Sequence, residues 1–238
     1  MTPRKQNRIA ERENAILEIA TGIIAREGTE SLTMERVLAQ VDFSKGTLYN
    51  HFICREDLLV AVHAQCFARH LEYFTRGAVF RGEPRERFVA TGMGHNVLQL
   101  VDPRPFRFAL TEAILAAASE NWRERFRQYH HETLGIFTGI VRDAIAVGDL
   151  PAATDPDHVT LGAWSVSCGA EELHTSGLMS RPLDGAAFAR LRSRLVDTLL
   201  DGFGWRPLSS ENNYDLVRKR ALREVYPEEA RRAGLLPS

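Results

Sequence analysis

The chain contains few cysteines and no long apolar run. There are three cysteines, an odd number with no close pair: Cys54, Cys66 and Cys168. This pattern fits a reducing compartment better than a disulfide framework. No apolar stretch approaches the roughly 20 residues that a membrane-spanning helix needs. The N-terminus carries charges where a signal peptide would be apolar. We therefore expect a cytoplasmic protein without a membrane anchor.

The sequence also lacks a strong net charge. Its formal net charge of −1 gives no sign of a nucleic-acid partner at the level of the whole molecule. Residues 1–12 differ, because this segment has four basic side chains and only one acidic one, Glu11. The basic residues are Arg4, Lys5, Arg8 and Arg12. This segment is either an arm that reaches a phosphate backbone or minor groove, or a solvated terminus.

Patterns typical of β-strands are short, and helical periodicity dominates. The 238 residues, 44% of them hydrophobic, are enough for a sizeable core. An apolar stripe from Ile16 to Ile24 predicts a helix that ends near Gly28. A longer helix begins near Arg55 and ends before Gly77. Further helices are predicted over residues 88–101, 105–118, 122–147, 156–175, 184–203 and, in a tail that Pro227 ends, 214–225.

Residues 33–52 predict a helix, a turn and a short second helix. Thr33 is a good N-cap for a helix whose apolar side chains lie on one face. Asp42 suits the turn because aspartate tolerates left-handed backbone, and Phe43 can fill the space beneath it. Ser44 is the next N-cap. This is the layout of a helix-turn-helix DNA-binding element.

The second helix has one apolar face and one polar face. Leu48 and Phe52 lie four residues apart and should pack inward. Gly46 would let a DNA backbone come close. The side chains left free for phosphates and base edges are Lys45, Thr47, Tyr49, Asn50 and His51.

The run VDFSKGTLYNHF at residues 41–52, followed by REDL at 55–58, resembles the TetR family of transcriptional regulators. The resemblance covers about residues 9–60. Asp42 stands where the family usually has glycine, and Phe43 where it has a smaller aliphatic residue. Both departures change the turn and neither removes a DNA contact.

The resemblance implies a sequence-specific, homodimeric transcriptional regulator, a repressor that a small-molecule effector releases from double-stranded DNA. One recognition helix per subunit would enter successive major grooves of a near-palindromic operator. Lys45, Thr47, Tyr49, Asn50 and His51 would contact DNA. Residues that would help to place phosphates are Thr33, Ser44, Gly46 and Arg55.

The resemblance also implies an all-α fold with three parts. Residues 1–54 would form the three-helix DNA-binding domain, residues 55–204 a helical domain for effector binding and dimerisation, and residues 205–238 a helical extension packed on it. In the family, the last two long helices form the dimer interface, here 156–175 and 184–203. Apolar side chains expected in that interface are Leu161, Trp164, Leu195 and Leu199.

A cavity for the effector is expected among the middle helices. Such cavities are mostly apolar, with a few polar groups that fix the ligand, so we expect a largely apolar effector. Candidate polar contacts are Asn96, Glu112 and Cys168. Candidate walls are Phe108, Trp122, Phe126 and Tyr129. Taken individually, each of these side chains fits ordinary core or surface better than a ligand contact.

Other chemistry has little support. His63, Cys66 and His70 share a helix face, but no fourth ligand completes a zinc site. Glu171 and His174 form a single Glu-x-x-His, whereas a di-iron bundle needs two. Motifs for dinucleotide binding and for a nucleophile elbow are incomplete. We predict no metal, cofactor or catalysis. The alternatives are an effector-independent DNA-binding protein, and a small-molecule-binding or enzymatic helical protein with a degenerate DNA domain.

Overall fold

A computed structural model describes residues 3–102, 110–177 and 183–237, with side chains described from Asn7 onward. Within these ranges the chain forms α-helices and one 3-10 turn at Thr29–Ser31, and no strand. The helices of the first half are α1 Pro3–Glu27, α2 Met34–Leu38, α3 Lys45–His51, α4 Arg55–Ala78 and α5 Pro84–Val101. Those of the second half are α6 Glu112–Ala117, α7 Glu120–Val147, α8 Pro156–Thr175, α9 Gly185–Gly202, α10 Tyr214–Glu224 and α11 Pro227–Arg232. The predicted all-α class is confirmed.

Most helix ends follow the local capping signals. Helix α1 ends at Glu27 because Gly28 adopts a φ of 82°, and α8 has both of its predicted ends. Helix α5 begins earlier than predicted, at Pro84, because Glu83 and Glu86 form a capping box around that proline. Pro227 does not end the helical tail; it is the first residue of α11, where its missing N–H costs nothing. The predicted helix start at residue 105 lies outside the described residues.

The chain divides into two compact units. The N-terminal unit comprises Met1–Arg69 and Arg104–His131, and the C-terminal unit comprises His70–Pro103 and Glu132–Ser238. Helices α4 and α7 therefore each contribute residues to both units. This division differs from the expected boundaries at residues 54 and 204. The start of α4 packs in the same core as α1, and the tail packs on α5, so neither boundary separates two cores.

The core of the N-terminal unit is built by α1, α2, α3 and the first half of α4. Ile16, Leu48, Phe52 and Leu58 are all fully buried in it. The buried carboxylate of Asp57 accepts hydrogen bonds from the N–H of Ile53 at 2.8 Å and of Ser119 at 2.7 Å. These bonds fix the start of α4 against the start of α7.

The C-terminal unit has two apolar clusters. One is formed by α5, α7, α8 and α9, together with the end of α4, around Val141, Leu200 and Trp205. The other joins α5 to α10 and α11 through residues such as Val97 and Tyr226. The tail is thus an integral layer of this unit. No helix in the described parts of the chain has the length and apolar character needed to cross a bilayer.

Candidate DNA-binding site

The turn between α2 and α3 uses ordinary backbone conformations. No non-glycine residue in the described ranges has a positive φ, so the prediction of left-handed backbone at Asp42 was wrong. The chain instead reverses over residues 39–43, starting from Ala39 in right-handed helical conformation. Phe43 is partly buried against the core of the N-terminal unit, which confirms its predicted place beneath the turn.

Both predicted N-caps are present. The Thr33 hydroxyl accepts from the N–H of Arg36 at 3.2 Å, and the Ser44 hydroxyl accepts from the N–H of Thr47 at 3.3 Å. Ser44 Oγ also lies 3.1 Å from Thr47 Oγ1. Since these caps satisfy only some of the free N–H groups, the first turn of α3 keeps donors for an external acceptor.

Helix α3 has the two faces that the sequence predicts. Leu48 is fully buried, as is Phe52 just after the helix, while Lys45, Gly46 and Asn50 are exposed. Thr47, Tyr49 and His51 are half-buried. These six residues, here called the polar surface of α3, make up the part of α3 that surrounds the buried Leu48, and Tyr49 among them also packs against the core of the N-terminal unit.

Two contacts orient the side chains on this surface. The Lys45 ammonium lies 5.4 Å from the centre of the Tyr49 ring, in cation–π geometry. Burial lowers the pKa of His51, so its ring is neutral near pH 7 and offers a hydrogen bond instead of a charge. The surface thus combines one cation with neutral donors and acceptors.

The end of α3 is anchored to α7 by Trp122. The indole Nε1 donates to the carbonyl oxygen of His51 at 3.1 Å, and its ring stacks on Phe52 with centroids 5.0 Å apart. Trp122 is only 2% exposed. These contacts assign this side chain, expected as a cavity wall, to holding the recognition helix in place.

Arginine side chains tie the helix-turn-helix to its neighbours. Arg55 Nε donates to the carbonyl of Leu32 at 2.9 Å, and its Nη2 donates to the carbonyl of Thr29 at 2.8 Å. Arg36 likewise donates to the carbonyl of Ser31 at 3.0 Å. The Arg55 guanidinium, expected near a phosphate, therefore has a packing role of its own between α1 and α2.

The basic N-terminal segment is helical, since α1 begins at Pro3. Of its described side chains, Arg8 is exposed and Arg12 half-buried. Both lie on the first turns of α1 instead of on an extended arm.

The residues expected around an effector cavity are divided between the units. Glu112, Trp122, Phe126 and Tyr129 belong to the N-terminal unit, whereas Asn96 and Cys168 belong to the C-terminal unit. Phe108 lies outside the described residues. Phe126 packs edge-on against Phe67 with ring centroids 5.7 Å apart, and Glu112 is exposed on the first turn of α6.

Two features of the C-terminal unit were not predicted from the sequence. A groove of about 440 Å³ is lined by polar residues of α9 and of the segment before α10, among them Arg194, Ser209 and Asn212. Arg192, on the buried face of α9, donates to Asn96. Its spacing of four from Phe188 was the available signal, because that spacing places it on the inward stripe of the helix.

The residues expected at a dimer interface lie on the packed pair α8 and α9. Leu161 is 49% exposed and Leu195 is 42% exposed. Trp164 and Leu199 are half-buried, and Leu199 packs against the C-terminal core. The pair therefore presents apolar side chains to solvent.

Residues 16–62 match the family model described as bacterial regulatory proteins, tetR family. This match runs from the second half of α1 to the first third of α4 and includes the whole helix-turn-helix. No curated protein matches the sequence.

Solved structures of TetR-type regulators share the fold over most of the chain. A TetR/AcrR family regulator from Thermobifida fusca YX-ER1 is 21% identical, with a TM-score of 0.55 over 81% of this chain and 98% of that one. SmeT, the repressor of the Stenotrophomonas maltophilia efflux pump SmeDEF, is 17% identical, with a TM-score of 0.55 over 80% and 89%. Bacillus subtilis FadR in complex with stearoyl-CoA is 14% identical, with a TM-score of 0.53 over 79% and 97%.

The helix-turn-helix, with its anchored and polar recognition helix, defines a DNA-binding transcriptional regulator. Over residues 16–62, the sequence of this domain is similar to the tetR family of bacterial regulatory proteins.

Proposed function

We propose that the protein is a homodimeric repressor that binds a near-palindromic operator through α3 and leaves it when a small molecule binds the helical body. The polar surface of α3 carries this proposal, because Lys45 and Asn50 are exposed on it while Leu48 is buried in the core and Trp122 holds the end of the helix. Regulation of genes requires that the protein act where the DNA is, in the cytoplasm.

The roles on α3 differ by chemistry. Lys45 is suited to a phosphate, which strengthens binding to any sequence. Asn50 is suited to a base edge, since an amide can donate and accept together. Thr47, Tyr49 and His51 add neutral hydrogen-bonding groups beside them.

Release requires an effector that binds one conformation better than another. Two recognition helices match successive major grooves only at one spacing, so an effector that favours a different spacing lowers operator affinity. A ligand with equal affinity for both conformations would shift nothing. The FadR relative was solved with stearoyl-CoA and SmeT is a repressor, which supports ligand-responsive repression for this chain.

The proposal is tested by selecting an operator from random double-stranded DNA and measuring its affinity over a salt series. Lys45→Ala should weaken binding to all sequences and reduce the salt slope by about one. Asn50→Ala should weaken binding to the selected operator by about 1–3 kcal/mol and relax preference at one base.

Lys219→Ala is the matched control, because Lys219 is an exposed lysine on α10 in the C-terminal unit. It should bind as the unaltered protein does. If all three variants bind equally, α3 is not the recognition helix. Binding without sequence preference would favour a DNA-coating protein, and turnover of a bound compound without DNA binding would favour an enzyme with a degenerate DNA domain.

A further inference from the structure

Arg192 is a charged residue on the buried face of α9. It follows Phe188 by four residues and precedes Leu200 by eight, and both of those side chains are core residues. Arg192 itself is only 6% exposed. A guanidinium stays protonated when buried, so its position needs compensating groups.

The structure supplies only part of that compensation. Arg192 Nη1 donates to Glu171 Oε2 at 2.6 Å, and Nη2 donates to Asn96 Oδ1. A guanidinium has five N–H donors. Among the described residues, Arg192 donates only these two hydrogen bonds. The remaining donors belong to a side chain that is more than nine-tenths buried, and they suit an additional acceptor.

His95 adds no second charge beside Arg192. His95 lies beside Asn96 on α5, and its Nδ1 is 3.0 Å from Nε2 of His70. Burial first, then His70 and Arg192, hold the pKa of His95 well below its usual range, so this ring is neutral. The Arg192 cluster, meaning Arg192, Glu171, Asn96, His95 and His70, thus contains one guanidinium and one carboxylate.

Glu171 does not fully balance the guanidinium. Burial lowers the pKa of Arg192, and the attraction of Glu171 opposes this shift without cancelling it. The Glu171 side chain is 30% exposed, compared with 7% for Arg192, so water screens its charge. An anion that entered the cluster would meet an incompletely neutralised cation.

An aromatic surface lies next to the charge. The guanidinium is 5.4 Å from the centre of the Phe188 ring, and His174 stacks on that ring with centroids 4.0 Å apart and planes 6° from parallel. A planar cation beside stacked rings suits a ligand with an acidic group and an apolar body.

We propose that the Arg192 cluster binds the carboxylate of a small organic acid. This inference rests on the proposed function, which requires a small-molecule effector; the acid would be that effector. The acid's oxygens accept from Arg192 and displace Glu171 from it, and the amide of Asn96 adds a second donor. A carboxylate fits better than a phosphate, because one guanidinium beside the neutral ring of His95 matches a single negative charge with fork geometry.

The test uses a series of straight-chain acids from acetate to decanoate, with benzoate, and the matching primary amides. Binding is measured by titration calorimetry on the full chain without DNA. At least one acid should bind and its amide should bind at least tenfold more weakly. Arg192→Gln should weaken that acid at least tenfold, while Arg190→Gln, at an exposed arginine of the same helix, should leave it unchanged.

Glu171→Gln provides an independent variant, because it removes the competing carboxylate and keeps Arg192. It should bind the acid several-fold more tightly than the unaltered protein. The proposal is overturned if no acid in the series binds, if acid and amide bind alike, or if Arg192→Gln and Glu171→Gln bind as the unaltered protein does.

Operator release is measured separately with the acid that binds. Release from the selected operator by that acid, lost in Arg192→Gln, supports its role as effector. Acid binding that leaves operator affinity unchanged overturns that role. Failure to select any operator contradicts the proposed function instead, and calorimetry without DNA reports on the acid site independently.

Discussion

Gly46, at the start of the recognition helix, has open space where a side chain would stand. The nearest atom to a Cβ built there is Ser44 Oγ at 3.9 Å, and the backbone does not need a positive φ. Packing within the protein therefore does not require glycine at this position. A requirement for it would come from an external backbone that approaches the helix closely.

Gly46→Ala should therefore separate stability from DNA binding. Alanine is the better helix former by about 1 kcal/mol, so the free energy of unfolding in urea should rise or stay level. Affinity for the selected operator should fall about tenfold or more, because a methyl group intrudes on the DNA backbone. Gly135→Ala, at an exposed and equally open position of α7, should leave operator affinity unchanged. Equal affinities in both variants would remove Gly46 from the DNA interface.

His63 is a buried histidine whose charge depends on folding. It is 7% exposed on α4, edge-on to Phe126 with ring centroids 6.3 Å apart, and burial lowers its pKa to about 4. As the pH falls, His63 takes up a proton near pH 6.5 in the unfolded chain, and at a lower pH in the folded protein. The stability that neutral His63 allows is thus fully present above about pH 6.5 and is lost as the pH falls towards 4.

Replacing His63 by phenylalanine should remove this pH dependence. Between about pH 7 and pH 4 the unaltered protein should lose roughly 3 kcal/mol more unfolding free energy than His63→Phe. Urea unfolding followed by circular dichroism at several pH values gives the difference. His131→Gln, at an exposed histidine, should follow the unaltered protein. Parallel curves for His63→Phe and the unaltered protein would show that His63 does not carry the effect.

At the scale of elements, the sequence predicted what local chemistry determines. Thr33 and Ser44 cap α2 and α3 as expected, because an N-cap depends on residues within one turn. Pro227 was misjudged because a proline that stops one helix can also open the next. The sequence therefore predicts that a helix is present. Whether a proline ends one helix or begins the next depends on the residues around it.

Contacts between helices that lie far apart in the chain could not be predicted from the sequence. Arg85 and Arg192 are 0% and 6% exposed, although arginine is ordinarily a surface residue. Their partners lie 21 to 124 residues away and on other elements, so no spacing rule connects them. The anchoring of α3 by Trp122 is similarly distant, across 71 residues. The candidate DNA surface was predicted because one short segment carries it, whereas the Arg192 cluster joins four helices.

Arg85 holds the segment between α9 and α10 against α5. Its guanidinium donates to the carbonyls of Trp205 and Pro207, pairs with Asp201 at 2.7 Å, and lies 4.5 Å from the centre of the Tyr214 ring. Removing the cation leaves buried acceptors and a carboxylate without their partner, which costs more than the bonds themselves contributed.

Arg85→Met should consequently lower the free energy of unfolding by about 3 kcal/mol or more. Arg87→Met is the matched control, two residues along the same helix, because its ion pair with Asp143 is 2.8 Å long and reaches solvent, with 28% of the Arg87 side chain and 55% of the Asp143 side chain exposed. That change should cost about 1 kcal/mol at most. Urea unfolding of both variants measures the contrast. Similar losses for the two arginines would show that the tail is held by its apolar cluster alone.

At the scale of the whole molecule, the C-terminal unit exposes leucines on its two packed helices. Leu161 and Leu173 of α8 are 49% and 52% exposed, and Leu191 and Leu195 of α9 are 37% and 42% exposed. Apolar side chains grouped on adjacent helices are typical of an interface between subunits, whereas single exposed leucines are common on any surface. A two-fold dimer would bring the same two helices of each subunit together.

If the protein is the homodimer proposed above, the double variant Leu161→Glu, Leu195→Glu should convert it to a monomer. Two-fold symmetry places each new carboxylate in the interface twice, and each unpaired buried charge costs about 2 kcal/mol or more, so dimer affinity should fall by several orders of magnitude. Sedimentation velocity at micromolar concentration reports the change, and circular dichroism should remain unaltered because both positions are exposed in the subunit. Leu216→Glu is the control, since Leu216 is 56% exposed on α10, outside this pair of helices. A double variant that stays dimeric, or a Leu216→Glu protein that dissociates, would place the subunit interface elsewhere. The monomer should also bind the operator more weakly, because a single recognition helix contacts only one half-site.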